Sequence, residues 1–116
     1  MDRIVTNIMT APWIHKPDNP TGALSKQMLG ENPANGMHFA HTIYEPGTYA
    51  PKHRHSCGHG IYVLGGLLKT DTGIYGPGTF IWYPAGDVME HGATPELPVE
   101  VLFFTDGPFD IEFLES

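Results

Sequence analysis

Three histidines within seven residues are the part of this sequence whose residue types and spacing could do chemistry. His53, His55 and His59 stand in GTYAPKHRHSCGHGIYVLGG, the stretch from Gly47 to Gly66. Side chains two positions apart in a strand share a face, so His53 and His55 can point the same way, and His59 can head the inward face of the next strand. Imidazole is the commonest protein metal ligand, and it binds in its neutral form. Clustered imidazoles without an obvious carboxylate partner therefore indicate a cation between them.

The elements that must position these histidines are short strands. The chain contains 14 Gly and 11 Pro, which are spread evenly and punctuate it about every eight to twelve residues. That spacing is typical of a sandwich or barrel, and no long amphipathic helical pattern is present in the sequence. We therefore predict an all-β fold in one domain of residues 1–116.

Composition excludes several classes of protein. The net charge of -7 argues against binding to nucleic acid or to an anionic membrane surface, because both need basic patches. Cys57 is the single cysteine, so the sequence has no internal disulfide and no zinc-finger pattern. No apolar run has the length of a signal peptide or a transmembrane helix, and we expect a soluble cytoplasmic protein.

The chain in order predicts an irregular beginning followed by regular strands. We expect residues 1–16 to hold a short edge strand and residues 16–36 to form a polar loop with one short turn or strand inside it. A type II turn is predicted at Glu45-Pro46-Gly47-Thr48. The later segments read as strands, with a hairpin whose tip is Asp71-Thr72-Gly73. The predicted strands are residues 37–44, 67–70, 73–75, 79–83, 99–105 and 109–114.

Other polar residues have weaker claims to the site. In the strand from Met37 to Tyr44, His38 and His41 fall on opposite faces, so only one of them can look into a given cavity. A surface histidine and a hydrogen-bonded core histidine would explain the pair equally well. Cys57 has the parity of an inward residue, and we interpret it as a small pocket-lining thiol rather than a ligand.

Two motifs, in order and separated by the hairpin, resemble those of the cupin family. The first consists of Gly47, His53, His55, His59 and Gly66, and the second consists of Gly78, Pro84, Gly86 and His91. The resemblance implies a double-stranded β-helix, which is a jelly-roll barrel, formed by residues 37–114, with residues 1–36 as an N-terminal strand and loop arm. It also implies one divalent metal ion per chain. The implied ligands are His53, His55, His59 and His91.

The sequence departs from the family pattern at two of these ligands. His59 stands where the family usually has glutamate, so the ligand set becomes neutral. The family's second-motif histidine normally occupies the position of Met89, and His91 lies two residues further on, which preserves strand parity. Glu90 is a rival: it could ligate the metal, accept a hydrogen bond from a ligand imidazole, or simply be solvated. A neutral imidazole set suits Fe(II), which we favour, and also Zn, Ni, Mn or Cu.

All-histidine cupin sites resemble those of dioxygenases that cleave carbon–carbon bonds in diketones and hydroxyketones. The resemblance implies a non-haem dioxygenase acting on a small enolisable or phenolic substrate in an apolar pocket that includes Phe80, Trp82 and Phe103. The alternatives are a metal-assisted isomerase, lyase or decarboxylase with Glu90 or His41 as the catalytic base, and a non-catalytic cupin that binds a metal or a small molecule. The resemblance also implies a homodimer.

Overall fold

The computed structural model describes residues 1–114 as two antiparallel sheets, with eleven strands numbered here in chain order. One sheet has six strands in the order β1 (Ile14–Asn19), β2 (Gly22–Asn32), β3 (Met37–Tyr44), β10 (Val99–Thr105), β5 (His59–Gly66) and β8 (Phe80–Tyr83). The other has five in the order β11 (Glu112–Phe113), β4 (Tyr49–Arg54), β9 (Met89–Ala93), β6 (Leu68–Thr70) and β7 (Gly73–Tyr75). Residues 1–114 include no helix long and apolar enough to cross a membrane. The predicted all-β jelly-roll fold is confirmed.

The core lies between the two sheets and is built mainly from alternate residues of β5, β6, β8, β9 and β10. Ile61 and Val63 of β5 lie beside Val99 and Val101 of the neighbouring strand β10 in the core cluster, and Leu68 of β6 joins them from the other sheet. Each of these five side chains is fully buried. Complete burial of one such side chain stabilises the fold by about 1.5–3 kcal/mol relative to exposure. The alternation also fixes which residues must face outward.

Strands β3 and β10 coincide with the predicted segments 37–44 and 99–105. The hairpin is also confirmed, since β6 pairs with β7 with Thr70 opposite Gly73. At the predicted type II turn Gly47 has φ +78°, and the Thr48 N–H donates to the Glu45 carbonyl at 3.0 Å. Only a residue without Cβ adopts this φ at no steric cost.

The loop predicted for residues 16–36 is wrong. Most of that segment is β2, eleven residues long, which pairs with β1 on one side and with β3 from Leu24 to Asn32 on the other. Its inward positions include Lys26 as well as Leu24, so the apolar alternation that indicates a half-buried strand is missing from the sequence. Pairing with β3 supplies hydrogen bonds that local composition cannot reveal.

The strand predicted for residues 109–114 is shorter than expected. Only Glu112 and Phe113 pair with β4, opposite Arg54 and His53. The residues just before Glu112 are held by side-chain hydrogen bonds and not by backbone pairing with a strand. The Asp110 carboxylate accepts hydrogen bonds from the backbone N–H and the hydroxyl of Ser56 at 2.7 and 2.5 Å. The half-buried alternating strand is therefore replaced by a two-residue strand after an irregular segment.

Residues before Ile14 form no strand and cross the outer face of the six-stranded sheet. The Gln27 amide group donates to the carbonyl oxygens of Ile8 and Ala11 at 2.8 and 2.7 Å. Since both amide hydrogens are used, the Gln27 carbonyl oxygen must face His41, whose Nδ1 lies 2.5 Å away. Gln27 is fully buried, so it anchors this N-terminal segment from inside the structure.

Replacing Gln27 by Ala should lower the free energy of unfolding by about 1–3 kcal/mol, because the carbonyls of Ile8 and Ala11 lose their donor. Urea denaturation monitored by Trp fluorescence measures the change. The control is Ser25→Ala, on the same face of β2, which removes only an exposed hydrogen bond to His15 and should change stability by less than about 0.5 kcal/mol. Equal effects of the two variants would contradict the anchoring role of Gln27.

Candidate metal centre

Three buried histidines from the five-stranded sheet converge inside the barrel. His53 lies in β4, His55 directly after β4, and His91 in β9. One ring nitrogen of each can be chosen so that the three atoms all lie within 4.8 Å of one another. The ring centroid of His53 is 4.9 Å from that of His55 and 5.0 Å from that of His91. The predicted pairing of His53 with His55 and the arrival of His91 from a second segment are both present in this geometry.

A close approach of two backbones brings His91 to this position. Gly92, the next residue, has no Cβ, and a Cβ there would lie 2.2 Å from the carbonyl oxygen of Thr48. Glycine therefore lets β9 lie against the start of β4, where Tyr49 pairs with Gly92 and Ala50 with His91. An irregularity in the β4–β9 register between Ala50 and His53 then turns His53 towards His91.

Backbone carbonyl groups orient two of the three imidazoles. His53 Nδ1 lies 2.6 Å from the Pro51 carbonyl oxygen, and His55 Nδ1 is hydrogen-bonded to the Asp110 carbonyl oxygen. A carbonyl oxygen only accepts, so each Nδ1 must carry the proton and each Nε2 must carry the lone pair. This is the arrangement by which proteins commonly fix the tautomer and orientation of a metal-binding histidine.

Six buried imidazole nitrogens lack a hydrogen-bond partner among residues 1–114: Nε2 of His53 and His55, and both ring nitrogens of His59 and His91. Leaving a buried polar group unsatisfied costs about 1–3 kcal/mol, and native interiors contain few such groups. A divalent cation would satisfy the lone pairs that converge here. The donor set therefore fits a metal ion, and imidazole nitrogen suits a transition metal better than Mg or Ca.

His59 lies beside this three-histidine group. Its ring centroid is 4.5 Å from that of His55 and 5.9 Å from that of His91, and the Tyr83 ring stacks on it at 4.9 Å. The structure thus brings together three of the four predicted ligands and places His59 against them. Its role as a fourth ligand stays a prediction.

The electrostatics of the interior keep these rings neutral. Burial lowers the pKa of His53 and, with the charges of His55 and His53, lowers the pKa of His59 to about 3. Burial first, and then the neighbouring histidines, lower the pKa of His91 well below its ordinary value. Neutral imidazole is the metal-binding form, so these histidines remain able to bind a cation at ordinary pH. The group formed by His53, His55 and His91 contains no carboxylate.

Glu90 lies outside the histidine group. It stands between Met89 and His91 in β9, so alternation directs its side chain to the opposite face of the strand. There it helps burial to raise the pKa of Tyr49, and its backbone N–H lies 3.4 Å from Oδ1 of Asp71. Alternation along the strand, which puts His91 and Glu90 on opposite faces, is the feature of the sequence that favours His91 as the ligand. A catalytic role for Glu90 stays a prediction.

His41 also lies away from the histidine group, on the outer face of the six-stranded sheet. Its Nδ1 contacts the Gln27 carbonyl oxygen and its Nε2 lies 2.5 Å from Oε2 of Glu100. The Trp13 ring covers it, with centroids 5.3 Å apart. These contacts tie the N-terminal segment to the sheet, and the predicted role of His41 as a base is not tested by them. Cys57 is buried and stands outside the three-histidine group.

Four aromatic rings enclose the histidines. Phe109 lies 4.9 Å from His55, Phe113 lies 5.9 Å from His53, and Phe103 lies 5.2 Å from His59, measured between ring centroids. Tyr83 completes the wall. Of these four rings, only Phe103 is among the residues that the sequence predicts for the apolar pocket.

Two of the predicted pocket residues have other positions. Phe80 and Trp82 lie on the outer face of β8 and are 52% and 44% exposed. In β8 they alternate with Ile81 and Tyr83, and the inward side belongs to Ile81, which packs on the core, and to Tyr83. Because all four residues are apolar or aromatic, the sequence does not indicate which pair faces inward.

The chain matches a family model in sequence and many solved structures in fold. The family model described as ChrR cupin-like domain matches residues 1–110. No functionally curated protein shows significant sequence similarity to the chain.

Three solved structures illustrate the shared fold. The polyketide cyclase RemF from Streptomyces resistomycificus is 20% identical with a TM-score of 0.75, covering 100% of this chain and 87% of its own. A proposed acetylacetone dioxygenase from Methylibium petroleiphilum PM1 is 16% identical with a TM-score of 0.80, covering 99% and 83%. A cupin-like protein from Thermotoga maritima MSB8 is 24% identical with a TM-score of 0.67, covering 83% and 79%. At these identities the likeness shows a common fold.

Substituting His91 by Ala should abolish metal loading, because it removes one of three converging nitrogens. His59→Ala leaves the three converging nitrogens in place, so metal should still bind; its affinity should fall by about 10–100-fold if His59 supports the site from outside, and further if His59 is the predicted fourth ligand. Competition with a chromophoric chelator and elemental analysis measure both. Exposed His15→Ala serves as the control and should load like the unmodified protein. Full loading of His91→Ala would contradict the assignment.

Metal-free protein should lose stability as pH falls from about 7.5 to about 5. The folded pKa of His59 is about 3, whereas that of an unfolded histidine is about 6.5, so the unfolded state binds more protons in this window. Acid therefore favours unfolding, by about 1.4 kcal/mol per pH unit for each histidine that titrates fully. Urea midpoints of the metal-free protein at several pH values measure the slope.

The matched variants are His59→Gln, which should flatten that slope, and His15→Asn, which should leave it unchanged because His15 is exposed. A stability of metal-free protein that stays constant over the same pH window would show that the interior histidines are not held neutral.

Proposed function

The chain belongs to the ChrR cupin-like domain family, and on that premise we propose that it is a metal-dependent enzyme, a non-haem dioxygenase that cleaves a small enolisable carbonyl compound. The observation that carries this proposal is the group formed by His53, His55 and His91, which is buried, converges within 4.8 Å and contains no carboxylate. Neutral ligands leave the full charge of a divalent ion available to a bound anion. An enolate oxygen is such an anion.

Fe(II), or alternatively Zn, Ni, Mn or Cu, would be held by these imidazoles and supply a Lewis acid for an enolate oxygen, with dioxygen chemistry where the ion is redox-active. The protein contributes the fixed orientation of His53 and His55 through the carbonyls of Pro51 and Asp110. It also keeps His53, His59 and His91 in their neutral form.

The surrounding side chains exclude water and retain protons. Phe103, Phe109 and Phe113 pack against the imidazoles, which are themselves buried. Burial raises the pKa of Tyr44 to about 12 and raises the pKa of Tyr83 further, so both phenols stay protonated at neutral pH. A protonated phenol can donate a hydrogen bond to a substrate oxygen, and Tyr83 is already stacked on His59.

Structural similarity to a proposed acetylacetone dioxygenase supports the oxidative reaction. Cleavage of a 1,3-diketone breaks the bond between one carbonyl carbon and the central carbon that lies between the two carbonyl groups. The substrate is oxidised, and both oxygen atoms of O2 enter the two fragments. No further reductant is needed. A second candidate is a non-oxidative reaction of the same enolisable substrates, favoured by the similarity to the polyketide cyclase RemF over the whole chain.

The test is oxygen consumption by Fe(II)-loaded protein offered a panel of 1,3-diketones and α-hydroxyketones. We expect substrate-dependent O2 uptake, with both atoms of labelled O2 recovered in the products by mass spectrometry. His91→Ala should show no uptake, and His15→Ala should behave like the unmodified protein. Conversion of a substrate without O2, under anaerobic conditions and with Zn as well as Fe, would favour the non-oxidative reaction. Absence of uptake with every metal and substrate would refute the dioxygenase.

A further inference from the structure

Two lysines stand together at an opening of the barrel. Lys16 in β1 and Lys26 in β2 are diagonal neighbours, since Lys16 pairs with Leu24 and Ile14 pairs with Lys26. Residues two apart share a face, so both ammonium groups lie on the same side of the sheet. Both line a pocket of about 160 Å³ together with His38, Tyr44 and the rings of Phe103 and Phe109.

The charge of this pocket is unusual for the protein. The chain has 6 Lys and Arg against 13 Asp and Glu, yet two of the six cations share one pocket. Among residues 1–114 the ion pairs are His41 with Glu100 and Arg54 with Glu112, so neither lysine has a carboxylate within 4.0 Å. Burial, and then the charge of Lys16, lower the pKa of Lys26. Two adjacent cations without a counter-ion repel each other, and an anion between them would relieve that repulsion.

The residues that line the pocket include no aspartate or glutamate. Glu31 pairs with His38 across β2 and β3, and its charge acts on that ring, where it partly offsets the effects of burial and of Lys26. The positive charge of the pocket is therefore concentrated at Lys16 and Lys26. Tyr44, whose pKa burial raises to about 12, provides a neutral hydroxyl donor on the same wall.

This pocket and the candidate metal centre share two side chains. Phe109 lines the pocket and lies 4.9 Å from the His55 ring, and Phe103 lines it and lies 5.2 Å from the His59 ring. Phe103 and Phe109 therefore border both the pocket and the histidine group. Its volume suits a benzene-sized molecule, and the flat faces of Phe103 and Phe109 suit a planar one.

We propose that this pocket binds small planar carboxylic acids, with the carboxylate between Lys16 and Lys26 and the body of the molecule against Phe103 and Phe109. If the proposed function holds, on which this second step rests, the substrate is an enolisable compound that also carries a carboxylate. The lysines bind the anionic end, and Phe103 and Phe109, which also pack against the histidine rings, bind the body of the molecule.

The experiment compares benzoate with benzyl alcohol, a neutral molecule that has the same ring, by isothermal titration calorimetry. Zn-loaded and metal-stripped protein are both titrated, so that binding by the lysines is separated from binding by the metal. We expect benzoate to bind both forms at least about tenfold more tightly than benzyl alcohol, the range of a charged hydrogen bond. Added salt should weaken benzoate binding alone.

Variants of Lys26 locate the binding. Lys26→Met keeps the apolar stem and removes the charge, so it should lower benzoate affinity about tenfold and leave benzyl alcohol binding unchanged. Lys26→Arg should retain benzoate. The control is Lys69→Met, since Lys69 lies over the Tyr49 ring at 5.0 Å and does not line this pocket. Should Lys26→Met fail to fold, benzoate-induced NMR shifts of the Lys16 and Lys26 side chains in unmodified protein give the same answer.

Equal affinity for benzoate and benzyl alcohol would overturn the proposal, as would benzoate binding that Lys26→Met leaves intact. Benzoate binding that appears only in the Zn-loaded protein would also overturn it, because the metal would then be the anion's partner. The dioxygenase proposal fails separately: absence of O2 uptake has no bearing on benzoate binding by metal-stripped protein.

Discussion

The burial of imidazole nitrogens without hydrogen-bond partners is the constraint on which the rest of this structure depends. Within residues 1–114, six such nitrogens on four histidines lie in the same interior as a core cluster of aliphatic and aromatic side chains. A protein interior tolerates such groups poorly, because each one loses its water without gaining a partner. The fold tolerates them by keeping His53, His59 and His91 neutral and by fixing His53 and His55 with backbone carbonyls. The pairing of β4 with β9 and the close contact at Gly92 bring His91 to His53, and four aromatic rings surround the group.

Strand periodicity was enough to predict much of this site. His53 and His55 share a face because they are two residues apart, and the even spacing from Met89 to His91 preserves the inward direction. Core strands such as β3 and β10 are predictable for the same reason, since their apolar residues alternate or run continuously. Parity also argues against Glu90, which must point away from the side that His91 faces. Alternation predicts which face of a strand a side chain takes, but it does not predict how far along the strand the side chain lies. His59 therefore lies beside the three-histidine group, with its ring 4.5 Å from the His55 ring, and is not a member of that group.

The parts that the sequence did not predict depend on distant partners. β2 contains Lys26 at an inward position and therefore resembles a loop, although pairing with both β1 and β3 makes it the longest strand in the described part of the chain. Phe109 and Phe113 reach the histidines because Ser56 captures Asp110, a contact between residues 54 positions apart. Phe80 and Trp82 resemble core residues, and only the neighbouring strand determines that Ile81 and Tyr83 take the inner side.

The contacts of Asp110 link the end of the chain to the histidine group. Its carbonyl accepts from His55, while its carboxylate accepts from Ser56, so the orientation of one ring depends on a segment held partly by surface hydrogen bonds. Coupling of this kind is reciprocal: whatever stabilises His55 in this orientation also stabilises the docked segment, by the same free energy. That segment includes Phe109, which walls the pocket. Binding of a metal by His55 would therefore also stabilise the position of Phe109, and displacement of the segment around Asp110 would weaken the hold on the metal.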